Sequence, residues 1–218
     1  MILSMSGRTL LRSHLLPFIA TRSLRQLVLG TGALLLLVSG LFGGLARAEP
    51  DELDTLVAGR TVETAPFDIT VTKVGWATDL GEVLGESEVG RFLVVYATIT
   101  STEKQSVDGF VLGEAVRLQG LKGFVKSPAG GDELVASDEA RPNLVVRDDQ
   151  VTFDVLNPGL TYDVAYIWEQ NAEAPVPSTV DVTVYDHGFR QSSIDDQENW
   201  FDSSVMATGA FSVTELDL

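Results

Sequence analysis

Residues 91–101 read RFLVVYATITS, and the reading of this stretch decides the fold. It is dense in β-branched and aromatic side chains and holds neither glycine nor proline, which is strand chemistry. Leu93, Val95, Ala97 and Ile99 recur at a period of two and so share one face. The other face is also apolar near the start of the stretch, as expected for a central strand covered on both sides.

The flanks carry the same kind of signal. Upstream, Phe67-Asp68-Ile69-Thr70-Val71-Thr72 alternates apolar and polar residues, a half-buried strand. Between the two strands, residues 79–90 hold Gly81, Gly85 and Gly90 among acidic residues, a loop signature. Downstream come a polar turn at 102–106, weaker strands at 107–112 and 114–118, and an irregular connection around a short strand at 121–141. Short strands at 144–146 and 151–155 flank Asp148-Asp149. Asn157-Pro158-Gly159 predicts a type II turn: proline fixes φ, and glycine supplies the positive φ that the next position requires. It launches a long strand over 162–168. Val180, Val182 and Val184 mark the last clear strand, after which Asp186-His187-Gly188 reads as a turn that folds 189–191 back. Seven or more strands without a convincing soluble helix predict an all-β fold, an immunoglobulin-like β-sandwich over 60–191. Residues 192–218 read as an acidic C-terminal extension.

The N-terminal region differs in kind. Residues 27–46 contain no ionisable side chain, and a helix of that length spans about 30 Å, the thickness of a bilayer's hydrocarbon core. Arg8, Arg12, Arg22 and Arg25 precede it, whereas Glu49, Asp51, Glu52 and Asp54 follow it. The asymmetry places 1–26 in the cytoplasm as a basic segment, 27–46 as a transmembrane helix or uncleaved signal anchor, and 47–59 as a spacer to an extracytoplasmic domain. Ala46-Arg47-Ala48 also fits a signal-peptidase site, so release after Ala48 stands as the alternative. Gly40 and Gly44 form a GxxxG pair, a pattern common in membrane helices whether or not they associate.

Charge narrows the range of partners. Five of the fifteen basic residues precede Glu49 and all thirty-one acids follow Ala48, so the exported part carries a net charge of −21. Such a surface repels phosphate backbones, which argues against nucleic acid as a partner. Without cysteine there is no disulfide, no thiolate metal ligand and no cysteine nucleophile, and the domain must rest on its packed core.

The stretch RFLVVYATITSTEKQSV and the later Leu156-Asn157-Pro158-Gly159-x-x-Tyr162 together resemble a group of immunoglobulin-like exported domains of unknown function from Gram-positive bacteria. The ending, WEQ…APVPSTVDVTVYDHGFRQSS…WF, is similar to single-pass actinobacterial membrane proteins of the same architecture. The resemblance runs over about 60–201. It implies a fold and a location, and carries no catalytic residues.

Chemistry is sparse. His14 precedes the apolar segment and His187 falls in the expected turn, with no G-x-S-x-G elbow to serve as a hydrolase nucleophile. The abundant acids have no context that marks a glycosidase pair. Asp195, Asp196, Glu198 and Asp202 cluster as hard oxygen ligands, candidates for calcium, but their spacing is not that of an EF-hand. Trp168 is expected in the core. Trp200 and Phe201 are expected to staple the tail to the sandwich or to contact a partner. The reading is therefore a non-enzymatic binding or scaffolding module of the cell envelope, without cofactor, facing another envelope or membrane protein. Its alternatives are a secreted ligand- or calcium-binding domain and a cell-envelope hydrolase.

Overall fold

The structure, a computed structural model, describes residues 53–126, 133–193, 196 and 198–217. The segments 1–26 and 27–46, the start of the spacer and Asp195 lie outside the described residues. Residues 52–218 form one compact unit.

The elements run in order β1 (Asp54–Thr55), β2 (Thr61–Glu63), β3 (Phe67–Ala77), β4 (Gly90–Ser101), β5 (Val107–Asp108) and α1 (Gly109–Gly113). After them come β6 (Val116–Gln119), β7 (Lys122–Val125), β8 (Leu134–Ala136), β9 (Asn143–Val146), β10 (Val151–Thr152) and β11 (Val155–Leu156), then β12 (Thr161–Asn171), β13 (Thr179–Gln191) and β14 (Glu198–Glu215). The fold is all-β. One sheet runs β10-β9-β12-β4-β3, and the other runs β14-β13-β6. The two are joined because the end of β14, Val213 to Glu215, pairs in parallel with Val74 to Trp76 of β3.

The inner faces of both sheets share one core. Ile69, Val71, Leu93, Val95, Ile99, Val164, Tyr166 and Trp168 come from the first sheet, and Leu118, Val182, Val184 and Ala207 from the second. β4 is central as expected, with β3 on one side and β12 along its whole length on the other. Its second apolar face is buried as well: Phe92, Val94 and Tyr96 form a smaller cluster with Leu80, Val145, Ala165 and Ile167. Gly159 takes φ of 68°, and Leu160 N–H donates to the Asn157 carbonyl at 3.2 Å, closing the expected turn before β12.

Three expectations change. The strand expected over 107–112 stops after Asp108, whose carboxylate accepts from Phe110 N–H at 2.7 Å and caps the one-turn α1. The segment 192–218, expected as an extension beyond the sandwich, supplies β14, which pairs with β13 from Thr179↔Ser212 to Gln191↔Glu198. Its apolar residues are interrupted irregularly by small, polar and acidic ones, so its alternation shows only once β13 lies beside it. The spacer likewise ends earlier than expected: β1 pairs in parallel with Ala207 and Thr208, and Leu56 is buried. Gly209 makes that approach possible, because a Cβ there would sit 2.0 Å from the Leu56 carbonyl oxygen.

Candidate functional site

The β13–β14 hairpin ends in the rungs Gly188↔Phe201, Phe189↔Trp200, Arg190↔Asn199 and Gln191↔Glu198. Register shifts between Val184/Tyr185 and between Asp186/Gly188 interrupt the ladder just before this end. Such irregularities re-aim side chains. His187 falls in the second one, inside β13 and not in the turn expected for it, and its side chain is 5% exposed.

His187 is unusual among the described residues. Its backbone N–H donates to Ala65 O at 3.0 Å, but neither Nδ1 nor Nε2 has a hydrogen-bond partner. Burial lowers its pKa below the usual 6.5; the charges of Asp186 and Glu114 oppose the shift, and Arg117 adds to it. An imidazole left unpaired in this way costs about 1–3 kcal/mol of desolvation.

Around His187 opens a cleft of about 230 Å³. Phe110, Val111 and Glu114 line it from α1 and its C-terminal cap, Arg141 from the segment before β9, and Trp200, Phe201, Asp202 and Ser203 from β14. The Trp200 ring lies 5.0 Å from Phe189, tilted by 52°. The Arg141 guanidinium sits 5.1 Å from the Phe110 ring and 3.4 Å from Glu114 Oε1. Arg190 lies 4.7 Å from the Phe201 ring, and its guanidinium bonds Asp202, which holds that carboxyl below its ordinary pKa. Phe110 is 61% exposed and Phe189 is 50% exposed. Aromatic faces under cationic caps, beside a buried polar group, form an amphipathic recess suited to a flat or apolar group that also carries hydrogen-bonding atoms.

The residues singled out from the sequence are placed unevenly. Trp200 packs against the core of the sandwich, and Trp200 and Phe201 both line the cleft. Asp202 lines the cleft but is engaged by Arg190. Asp196 offers its backbone carbonyl to Gln191 Nε2 at 3.1 Å, and Glu198 stands opposite Gln191 at the hairpin end. No three His, Asp or Glu side chains among the described residues are grouped to hold a metal ion. Ser203, His187 and Asp202 line the same recess, and no hydrogen bond ties the His187 ring to either neighbour. Sequence reading missed Phe110, Glu114 and Arg141. The only sequence-level hint was an aromatic, Phe110, in a strand too weak to bury it.

No protein-family model matches this chain, and no curated protein does. Solved structures show a distant likeness. An uncharacterised β-sandwich protein of Clostridium difficile 630 is 14% identical, covering 75% of this chain and 97% of its own, with a TM-score of 0.44. A proposed lipoprotein of Staphylococcus aureus is 11% identical over 75% and 98% of the two chains, with a TM-score of 0.37. A conserved hypothetical protein of Bacillus anthracis is 15% identical over 67% and 95%, with a TM-score of 0.34. At these levels no residue and no role passes from them to this chain.

Proposed function

We propose that this protein is a non-enzymatic binding or scaffolding module of the cell envelope. Residues 27–46 hold it at the membrane, and an immunoglobulin-like sandwich on the outer side presents the aromatic cleft to another envelope or membrane protein. The observation that carries this reading is the recess between α1 and the β13–β14 hairpin, where exposed Phe110 stands with Trp200, Phe201 and an unpartnered His187, and Phe189 packs on Trp200 beside it. Exposed aromatics of this kind are interface chemistry, and buried orphan polar groups collect where a function needs them. The net charge of −21 over residues 49–218 keeps such a domain soluble and biases it toward basic partner surfaces.

The test is photo-crosslinking in intact cells, with a photoreactive amino acid at Phe110 of the full chain, which lines the recess, and a control at exposed Asp181. A discrete adduct from position 110, absent from the control and weakened by Phe201→Ala, is expected. Identical patterns from both positions overturn the proposal. The released, secreted form stands as a second reading because of Ala46-Arg47-Ala48. A mature N-terminus at Glu49 would establish it in place of the anchor.

A further inference from the structure

A second recess lies on the other side of the first sheet, away from the hairpin cleft. On this outer face Tyr96 of β4, Ala165 of β12 and Val145 of β9 stand side by side in one row, since Ala165 is registered with both. A methyl group between a phenol and an isopropyl group leaves a depression. The neighbouring pair Val94 and Ile167 extends its floor. The loop between β3 and β4 roofs one side with Leu80 and Val83, and the β9–β10 turn closes the other with Arg147 and Gln150. The resulting slot measures about 190 Å³, comparable with the cavity of about 150 Å³ that accommodates a benzene ring in a dry protein interior.

Its walls are apolar, but its mouth is not. The Arg147 guanidinium lies 4.8 Å from the Tyr96 ring, and Lys73 approaches the same ring at 4.9 Å. Among the described residues neither cation is in an ion pair, although Asp148 and Asp149 directly follow Arg147. By contrast Arg117, Arg141 and Arg190 each have a carboxylate partner. A planar guanidinium fixed on an aromatic face keeps its outward N–H donors free for a carboxylate, which it binds in bidentate fashion.

The geometry points to a small-molecule site for an apolar carboxylate: one ring or a short branched chain over Ala165, with its anionic end on Arg147 and the Gln150 amide beside it. The apolar slot selects the body of the ligand, and the unpaired guanidinium selects its charge. The site is independent of the hairpin cleft and of whatever partner that cleft takes.

The full chain in lipid nanodiscs is titrated with para-fluorobenzoate and with the neutral para-fluorobenzyl alcohol, and bound ligand is read by fluorine NMR line broadening. Benzoate binding at millimolar or tighter affinity is expected. Arg147→Gln should weaken it by about tenfold while changing the neutral alcohol by less than about twofold. Ala165→Leu fills the floor and should remove both, with circular dichroism confirming the sheet content. No broadening beyond that of empty nanodiscs at about 10 mM overturns the site. So does equal benzoate affinity in wild type and Arg147→Gln. Arg147 is at the surface and outside the core, so its variant retains the fold even if Ala165→Leu does not.

Discussion

Two aromatic pairs in this molecule use the same side-chain chemistry to different ends. In the core, Tyr166 and Trp168 stack with centroids 6.1 Å apart and planes 18° apart, each at most 1% exposed. Their polar atoms are satisfied: Tyr166 Oη donates to Leu112 O at 3.0 Å, and Trp168 Nε1 donates to Ala140 O at 3.3 Å. Burial accordingly pushes the Tyr166 phenol pKa upward. At the hairpin end, Phe189 and Trp200 pack at a tilt, one face half in solvent, next to a histidine whose ring nitrogens have no partner. Complete polar satisfaction marks the first pair as structural. Exposed apolar area and an unsatisfied neighbour mark the second as a place where stability is not the only demand.

The sharpest way to break this contrast is to truncate one member of each pair in residues 52–218 and measure urea denaturation. Trp168→Ala should cost about 3–5 kcal/mol, a large share of a domain's total stability. A loss below about 1 kcal/mol would deny Trp168 its central role. Trp200→Ala should cost less, about 1–2 kcal/mol, because only part of its ring meets the core. A loss as large as that of Trp168 would make the hairpin end merely structural.

His187 sharpens the comparison through pH. Its folded pKa lies below the usual 6.5, so between those two values the unfolded chain binds more protons than the folded one. Stability should therefore be full above about pH 6.5 and fall as pH drops through that window, with no further loss from this group below its folded pKa. His187→Leu should be neutral or stabilising by about 1 kcal/mol at pH 7, since it removes two unpaired nitrogens, and should flatten that acid-side slope. Denaturation series at several pH values decide it: an unchanged slope would mean that the imidazole is solvated or paired. The smallest effect belongs to Phe189→Ala, expected within about 0.5 kcal/mol because the ring is half in water.

Much of the first sheet was legible in the sequence. The run around Leu93 and Val95 is apolar enough on both faces to announce a central strand, and proline followed by glycine at 158–159 specifies its own turn. The second sheet was half legible. Val180, Val182 and Val184 alternate cleanly, but β14 presents Ala207, Gly209 and Phe211 among serines, threonines and acids. A strand that mixes apolar, small and polar residues declares itself only when the strands on both sides of it are in place. Of the residues that line the candidate cleft, the sequence singled out Trp200 and Phe201 as a staple or partner contact, Asp202 as a calcium candidate and His187 as a turn residue; Phe110, Glu114 and Arg141 are distant in sequence and arrive through α1 and the segment before β9.

The sequence by itself determined strand content, the turn at 157–159, the strongly acidic character of everything after residue 48 and the apolar stretch 27–46, because each depends on local composition or period. The tertiary structure alone decided that the C-terminal residues complete the second sheet and that His187 points inward without partners. It also decided that Ala165 lies low between Tyr96 and Val145. The face a strand residue occupies depends on its register with the next strand, and register is fixed by pairing across the sheet, not by any residue's immediate neighbours in the chain.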